Sequence, residues 1–137
     1  MNRWLVKSEP SVYAWSQFCA DKRTFWNGVR NHQAAANLKA MRLGDHCFYY
    51  HSNEGKEIVG IAEVVKEYYP DHTDETGKFG MVDLAPVAAL KRSVTLVEIK
   101  ADETLSAMAL VRQSRLSVMP IDPAHWDRVM LLAGGTQ

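Results

Sequence analysis

Four short polar clusters in the sequence combine residue types that could recognise a flat ligand. They are Lys7-Ser8-Glu9-Pro10, Trp26-Asn27-Gly28-Val29-Arg30-Asn31, His51-Ser52-Asn53 and Ser114-Arg115-Leu116-Ser117. An indole ring stacks on a nucleobase with roughly 1–3 kcal/mol. A carboxylate can accept a hydrogen bond from the exocyclic amino group of cytosine, and a guanidinium can bind a phosphate. This mixture suits recognition of a heterocycle more than covalent chemistry.

Each of these side chains also has a purely structural interpretation. Trp26 could equally be an ordinary core residue, and Glu9 could be a solvated or capping carboxylate. Lys7 could be solvated, and Arg30 and Arg115 could each satisfy loop carbonyls. Residue types alone leave both interpretations open.

The common catalytic motifs are absent from the sequence. It contains no GxSxG, GxxxxGK[ST] or HExxH motif, no zinc-deaminase signature and no glycine-rich phosphate loop. Cys47, Tyr49 and His51 would share one face of a strand, which could bring a thiol near an imidazole. The favoured alternative is that Cys47 packs in the core and His51 is a satisfied polar residue at the rim. We therefore predict no catalytic residue.

The two cysteines, Cys19 and Cys47, have neither CxxC spacing nor a surrounding His/Cys cluster. We therefore predict no metal site and no cofactor. Arg3, Lys7 and Glu9 interrupt the start of the chain, and the apolar runs are too short for a membrane span. We expect a cytoplasmic, monomeric protein with reduced thiols and no membrane partner.

The 137 residues predict one domain, 1–137, and their formal net charge is zero. Residues 1–42 carry seven basic and two acidic side chains, whereas residues 43–89 carry three basic and nine acidic ones. Proteins that grip duplex backbone usually have a basic excess. Nucleic-acid binding by this chain would therefore use a basic patch from the first third or would mainly read a base. A simply mixed surface is the alternative.

The hydrophobic pattern predicts strands and short helices that would carry the clusters at their ends. Predicted strands cover residues 3–8, 46–51, 56–69, 79–90 and 114–121. Predicted helices cover residues 13–22, 32–41, 102–110 and 123–130. Asn31 is the predicted cap of the second helix, and Asp122-Pro123 opens the last. Gly60 predicts a bulge or bend and Pro86 an edge or bulge, whereas residues 70–78 read as an exposed loop.

These elements favour an α+β fold with a small, barrel-like, mostly antiparallel sheet and flanking short helices. In such a sheet the ends of strands and helices gather around a mouth, where ligand sites usually form. The four clusters are therefore expected to meet there.

Five blocks of sequence, in order, resemble the EVE domain, a family of the PUA-like superfamily. They are WLVKSEP, WNGVRNHQAAANLKAM, GDHCFYYHSN, IVGIAEVVKEYYPD and LVRQSRLSVMPI, and they span nearly the whole chain. The resemblance implies a PUA-like fold with a bent, barrel-like sheet. It also implies a pocket for a modified base, with modified cytosine as the main class, and it brings no catalytic residues.

The resemblance assigns the pocket residues motif by motif. They are Ser8, Glu9, Trp26, Val29, Arg30, Asn31, His51, Ser52, Ser114, Arg115, Leu116 and Ser117. Residues 70–79 form a shorter loop than the aromatic-rich versions associated with the family. Phe79 is the one Phe, Tyr or Trp residue in this loop.

The leading hypothesis is a non-enzymatic reader that takes a modified nucleobase of DNA or RNA into a pocket at the barrel mouth. The alternative is a sensor that binds a free nucleoside or related heterocycle. An enzyme acting on a modified base, with His51, Cys47 or Glu9 as acid or base, ranks below both. A module that binds a protein partner through an apolar patch is the fourth hypothesis.

Overall fold

Six strands form one sheet, and short helices pack on both of its faces. The computed structural model describes residues 2–134. Its elements are β1 (Arg3–Ser8), α1 (Pro10–Tyr13), α2 (Trp15–Asp21), β2 (Thr24–Phe25), α3 (His32–Ala40), β3 (His46–His51), β4 (Glu57–Pro70), β5 (Gly80–Thr95), α4 (Leu96–Ala101), a 3-10 turn (Leu105–Ala107), α5 (Ala109–Arg112), β6 (Val118–Pro120) and α6 (Pro123–Leu132).

The strand order is β2-β5-β4-β3-β1-β6. Only β1 and β3 pair in parallel among the described strands, and the other four pairings are antiparallel. The parallel pair is possible because the chain crosses over through α1, α2, β2 and α3 before it returns. The predicted α+β class is confirmed, with a mixed sheet that is not closed, since β2 and β6 are its edges within residues 2–134.

Adjacent residues of β3 anchor the helices on the two faces of the sheet. Phe48 stacks on Trp126 of α6, with 3.7 Å between ring centroids. Tyr49 points to the opposite face, as the strand geometry requires, and there it stacks on Phe18 of α2 at 5.2 Å. Both strand residues are fully buried, so the core extends on both sides of β3.

The predicted bend at Gly60 is confirmed. The pairing of β3 with β4 shifts there, because Tyr49 pairs with Gly60 whereas Tyr50 pairs with Ile58. The indole of Trp15 lies directly over Gly60, and a Cβ at that position would collide with the ring. A glycine is therefore needed where α2 packs against the sheet. The predicted irregularity at Pro86 is also present, since the register of β4 with β5 shifts beside its partner Ala62.

Helix α3 begins as the sequence predicts. The Asn31 side chain accepts a hydrogen bond from the Ala34 N–H at 2.9 Å. Ala35, Leu38 and Met41 then lie buried on the face toward the sheet. Helix α6 also starts as predicted, with Pro123 in its first turn, and it buries Trp126, Val129 and Met130.

Several element boundaries predicted from the sequence are wrong. The helix expected over residues 13–22 corresponds to α2 and begins only at Trp15, because Ala14 is extended. The preceding helix α1, which ends at Tyr13, was not predicted. The continuous helix expected over residues 102–110 is absent, because that stretch holds the 3-10 turn and the start of α5, whereas α4 precedes it and starts at Leu96. Thr95 and Glu98 form a capping box that stops the preceding strand and starts α4. The short strand β2 was not predicted, and the tail after Gly134 lies outside the described residues.

None of the helices in residues 2–134 is long and apolar enough to cross a membrane.

Candidate functional site

A cavity of about 540 Å³, called the main cavity here, opens beside the carboxyl end of β1. One wall is the continuous stretch of residues 24–31. Lys7 and Ser8 at the end of β1, Val12 and Tyr13 of α1, and Ser117 complete the lining. The lining combines aromatic, aliphatic and neutral polar groups. Its charged members within the described chain are Lys7 and Arg30, both basic.

Two grooves adjoin the main cavity. The Glu9 groove, about 430 Å³, shares Lys7, Ser8, Val12 and Ser117 with the main cavity and adds Glu9, Ser52, Asn53, Ser114 and Arg115. The Arg112 groove, about 330 Å³, shares Asn31 with the main cavity and is otherwise lined by Gln33 and residues 112–116. Because they share lining residues, the three spaces form one continuous surface.

The fold brings eleven of the twelve predicted site residues onto this surface. Ser8, Trp26, Val29, Arg30, Asn31 and Ser117 line the main cavity. Glu9, Ser52, Ser114 and Arg115 line the Glu9 groove, and Leu116 lines the Arg112 groove. His51 is the exception, because it lines none of these three spaces as the described residues define them.

Trp26 serves the core and the cavity wall together. It is only 9% exposed, and its ring meets Tyr49 edge-on with 5.6 Å between centroids. Its backbone N–H donates to the Val82 carbonyl oxygen at 2.7 Å, which fixes the start of the wall on β5. The Tyr49 hydroxyl donates to the Tyr13 carbonyl at 2.6 Å. The two sides of the main cavity are thus tied to the same buried tyrosine.

Asp71 holds the wall from behind. Its buried carboxylate accepts hydrogen bonds from the Gly28 N–H at 2.8 Å and from Arg30 Nη1 at 3.1 Å. Thr73 adds its N–H at 2.7 Å and its hydroxyl at 2.5 Å. Burial by itself raises the pKa of Asp71, but the hydrogen bonds from Thr73, Gly28 and Arg30 outweigh it and hold that pKa well below its usual range. Asp71 is therefore a carboxylate at every physiological pH.

Local side-chain hydrogen bonds hold the loop that carries Asp71 in place. Its sequence DHTDET contains two D-x-T units, and in each the aspartate accepts from the N–H and the hydroxyl of the threonine two positions on. Asp74 also accepts from the Phe79 N–H at 2.7 Å. The hydrogen bond from Thr76 is the main reason that the pKa of Asp74 falls to about 2. The predicted exposed loop over residues 70–78 is confirmed for most of its residues, and Asp71 is the buried exception.

A scan against protein-family models matches residues 2–132 to the EVE domain. The chain belongs to the EVE-domain family. Among curated proteins it is 37% identical to thymocyte nuclear protein 1 of Gallus gallus, over 94% of this chain and 67% of that protein. It is 33% identical to the Homo sapiens protein of the same name, over 96% of this chain and 73% of that protein. The alignment with the Gallus gallus protein is 163 positions long, whereas this chain has 137 residues. The relative therefore carries insertions that this EVE domain lacks.

Solved structures agree with this assignment. An NMR structure of a Rhodopseudomonas palustris protein is 52% identical, with a TM-score of 0.93 over 98% of this chain and 94% of that chain. The human thymocyte nuclear protein 1 in complex with DNA that contains 5-methylcytosine is 33% identical, with a TM-score of 0.92 and full coverage of both chains. An ASCH protein of Zymomonas mobilis shares the fold alone, with a TM-score of 0.62 at 11% identity over 96% of this chain and 95% of that chain.

Lys7 is a cation of this EVE domain that was left out of the predicted site. Its Nζ donates to the Ser114 carbonyl at 2.9 Å and lies 5.9 Å from the centre of the Tyr50 ring. Burial lowers the pKa of Lys7. Lys7 makes no ion pair within residues 2–134 and lies where the main cavity meets the Glu9 groove. An ammonium has three donors, so it can bind an anion and keep its bond to Ser114.

His51 has a backbone partner, and Cys47 lies in the core. The His51 Nε2 accepts a hydrogen bond from the Trp15 N–H at 3.1 Å. Burial lowers the pKa of His51, although Glu57 nearby acts in the opposite direction. The Cys47 thiol is fully buried, and burial, with Asp45 nearby, raises its pKa far above its usual range. It is therefore not a thiolate at neutral pH.

Sequence reasoning also missed Val12, Tyr13, Phe25 and Asp71. Phe25 directly precedes Trp26 and belongs to the same aromatic cluster, so its neighbourhood was a usable signal. The two D-x-T units were the signal for Asp71. Within the described chain no group of three His, Cys, Asp or Glu side chains is arranged to hold a metal ion.

Proposed function

We propose that this EVE domain is a non-catalytic reader of DNA that takes a modified base of the 5-methylcytosine class into the main cavity. The observation that carries the proposal is the main cavity itself, with Trp26 and Val29 beside neutral polar groups. The full-length similarity to the human protein solved with methylcytosine-containing DNA supports DNA as the partner. Binding of RNA stays a prediction.

The size and chemistry of the main cavity suit a single base. Its volume of about 540 Å³ lies within the range of roughly 300–1,000 Å³ that is usual for small-ligand pockets. Trp26 and Val29 offer apolar contact for a ring and its methyl group. A base inside a duplex cannot enter such a cavity, so it must be flipped out of the stack, at a cost of a few kcal/mol.

Two polar side chains of the main cavity are free to read the edge of the base. Within residues 2–134 the side chains of Asn27 and Ser117 make no hydrogen bond, although both line the cavity. Asn31 and Ser8 are partly engaged, since Asn31 caps α3 and the Ser8 hydroxyl donates to the Tyr13 carbonyl. We therefore assign edge recognition first to Asn27 and Ser117. Glu9 lies in the adjoining groove, where it would meet a neighbouring nucleotide.

A reader accounts for the site better than an enzyme does. The buried Cys47 thiol has a raised pKa, and His51 lies outside the main cavity with Nε2 bound to Trp15. Neither group could exchange a proton with a ligand in the cavity without rearrangement. The monomeric state and the cytoplasmic location stay predictions.

The test is a binding titration with paired oligonucleotides. Fluorescein-labelled DNA duplexes and single strands with one 5-methylcytosine, their unmodified twins, the RNA equivalents and the free nucleosides are titrated with wild-type protein. We expect tighter binding of methylated DNA. Asn27→Ala and Ser117→Ala should each lose roughly five- to tenfold of that affinity, the size of one hydrogen bond.

Asn2→Ala is the matched control, because Asn2 lies next to the opposite end of β1. Equal affinity of the wild type for methylated and unmodified DNA would contradict the proposal. Equal affinity for the free nucleoside and the oligonucleotide that contains it would favour the sensor. Product formation during incubation, monitored by mass spectrometry, would identify an enzyme.

A further inference from the structure

Two exposed hydrophobic side chains lie on the rim of the main cavity. Among residues 2–134 six large hydrophobic residues are strongly exposed, and Val12 and Phe25 are the two that line this cavity. Val12 is 74% exposed and Phe25 is 47% exposed. Isolated exposed hydrophobic residues need no explanation, but two at the opening of one cavity indicate a contact surface. We call Val12 and Phe25 the rim pair.

Phe25 is held in place from two sides. It belongs to β2, where it pairs with Asp83 of β5. Its ring meets His72 edge-on, with 4.8 Å between centroids and an interplanar angle of 88°. His72 in turn lies between Asp71 and Thr73, whose mutual hydrogen bonds fix that turn. A ring that is positioned before the ligand arrives loses little conformational freedom on binding.

The charges beside the rim pair favour an anionic partner. The main cavity contributes Lys7 and also Arg30, whose charge is partly offset by its ion pair with Asp71. The two grooves contribute Arg112 and Arg115, and Glu9 is the one carboxylate that lines the three spaces in the described chain. Val12 lines both the main cavity and the Glu9 groove, so it lies on the ridge between them. A polyanion with flat apolar groups, as in a nucleic-acid strand, matches this combination.

We infer that the rim pair contacts the nucleobases that flank the one in the main cavity, with Phe25 as the stacking residue. This inference rests on the proposed function and deepens it. A flipped base leaves a gap in the stack, and apolar side chains inserted at such a step recover part of the unstacking cost. Phe25 and Val12 are the exposed large hydrophobic residues that line the cavity beside which that gap would lie. The sequence next to the modified base therefore contributes to affinity.

The experiment compares Phe25→Ala, Phe25→Leu and Val12→Ala with wild type on methylcytosine oligonucleotides and on the free modified nucleoside. Val97→Ala is the control, since Val97 is exposed in α4 and lines none of the three spaces as described. We expect Phe25→Ala to weaken oligonucleotide binding at least about fivefold, as loss of one base–aromatic stack does. Binding of the free nucleoside should be unchanged. Phe25→Leu, which keeps apolar bulk in β2, should lie between wild type and alanine.

Oligonucleotides with an abasic site on either side of the modified base complete the test. Abasic flanks should weaken wild-type binding and remove the difference between wild type and Phe25→Ala. Equal affinity of Phe25→Ala and wild type for the intact oligonucleotide would overturn the inference and leave the proposed function standing. An equal loss for the nucleoside and the oligonucleotide would also overturn it, because Phe25 would then shape the cavity. Failure of wild type to distinguish methylated DNA would instead defeat the proposed function.

Discussion

The Asp71 carboxylate lies 3.1 Å from the Arg30 guanidinium and ties the loop between β4 and β5 to the wall of the main cavity. The Arg30 side chain is 40% exposed, whereas that of Asp71 is fully buried. The same guanidinium reaches the Thr73 hydroxyl at 3.1 Å and lies over the Phe79 ring. The wall stretch of residues 24–31 thus depends on a residue more than forty positions later in the chain.

Replacement of Asp71 should loosen the cavity wall. Asp71→Ala leaves the Gly28 N–H without an acceptor and should lower the free energy of unfolding by about 2–3 kcal/mol. Asp71→Asn keeps one oxygen acceptor and should cost less, and both variants should weaken binding of methylated DNA. Urea titration followed by Trp fluorescence measures the stability. Asp127→Asn, an exposed carboxylate on α6, is the control.

The Asp71 effect should depend on pH in a defined direction. In the folded state the pKa of Asp71 is lowered from 3.8. The contribution of Asp71 to the free energy of unfolding is therefore complete above about pH 4 and is lost as the pH falls through the pKa of the folded state. The stability difference between wild type and Asp71→Asn should therefore be constant from pH 8 to 5 and narrow below pH 4. A difference that grows in acid would show that the Asp71 carboxylate does not support the wall.

Local signals in the sequence were sufficient for several elements of this fold. Asn31 predicted the start of α3, Gly60 predicted the bend in β4, and Pro123 predicted the first turn of α6. Each of these depends on one residue and its immediate neighbours, which is the range over which capping and backbone preferences act. The capping box of Thr95 and Glu98 carried a signal of the same kind and was overlooked.

Long-range contacts account for what the sequence could not reveal. Strand β2 has two residues and exists only because Thr24 and Phe25 pair with β5. No periodicity can be read from two residues. The partner of Arg30 is Asp71, and nothing local to either residue indicates that pair. The four polar clusters were recognisable by composition, but only the three-dimensional structure shows that His51, which pairs with Ser8 across β1 and β3, does not line the cavities, whereas Lys7 lies at their junction.

Trp26 should prove to be both a core residue and a ligand contact. Because it is mostly buried against Tyr49, Trp26→Ala should lower the free energy of unfolding by about 3–5 kcal/mol. Trp26→Phe keeps an aromatic ring, should stay folded, and should still weaken binding of methylated DNA severalfold. Trp126→Phe is a matched control on the other face of the sheet, where Trp126 stacks on Phe48. If both Phe variants weaken binding equally, the loss reflects stability and Trp26 has no direct contact.

Lys7 should contribute one phosphate contact. Lys7→Met keeps the buried aliphatic stem and removes the charge. The dependence of log affinity on log salt should become shallower by about 0.7–0.9 for one lost phosphate contact. Lys100→Met in α4 should leave the slope unchanged, because Lys100 is exposed and lines none of the three spaces as described. Identical slopes for wild type and Lys7→Met would show that Lys7 has only its Ser114 contact.

His51 should make stability depend on pH near neutrality. Neutral His51 accepts the Trp15 N–H, and burial lowers its pKa below the ordinary 6.5. The unfolded state then binds the proton more readily than the folded state does. The contribution of His51 to the free energy of unfolding is therefore complete above about pH 6.5 and is lost as the pH falls through the folded pKa. His51→Gln keeps an acceptor oxygen and does not titrate, so urea titrations from pH 8 to 5 should show a flatter profile than wild type. A His51→Gln profile as steep as that of wild type would assign the dependence to another group.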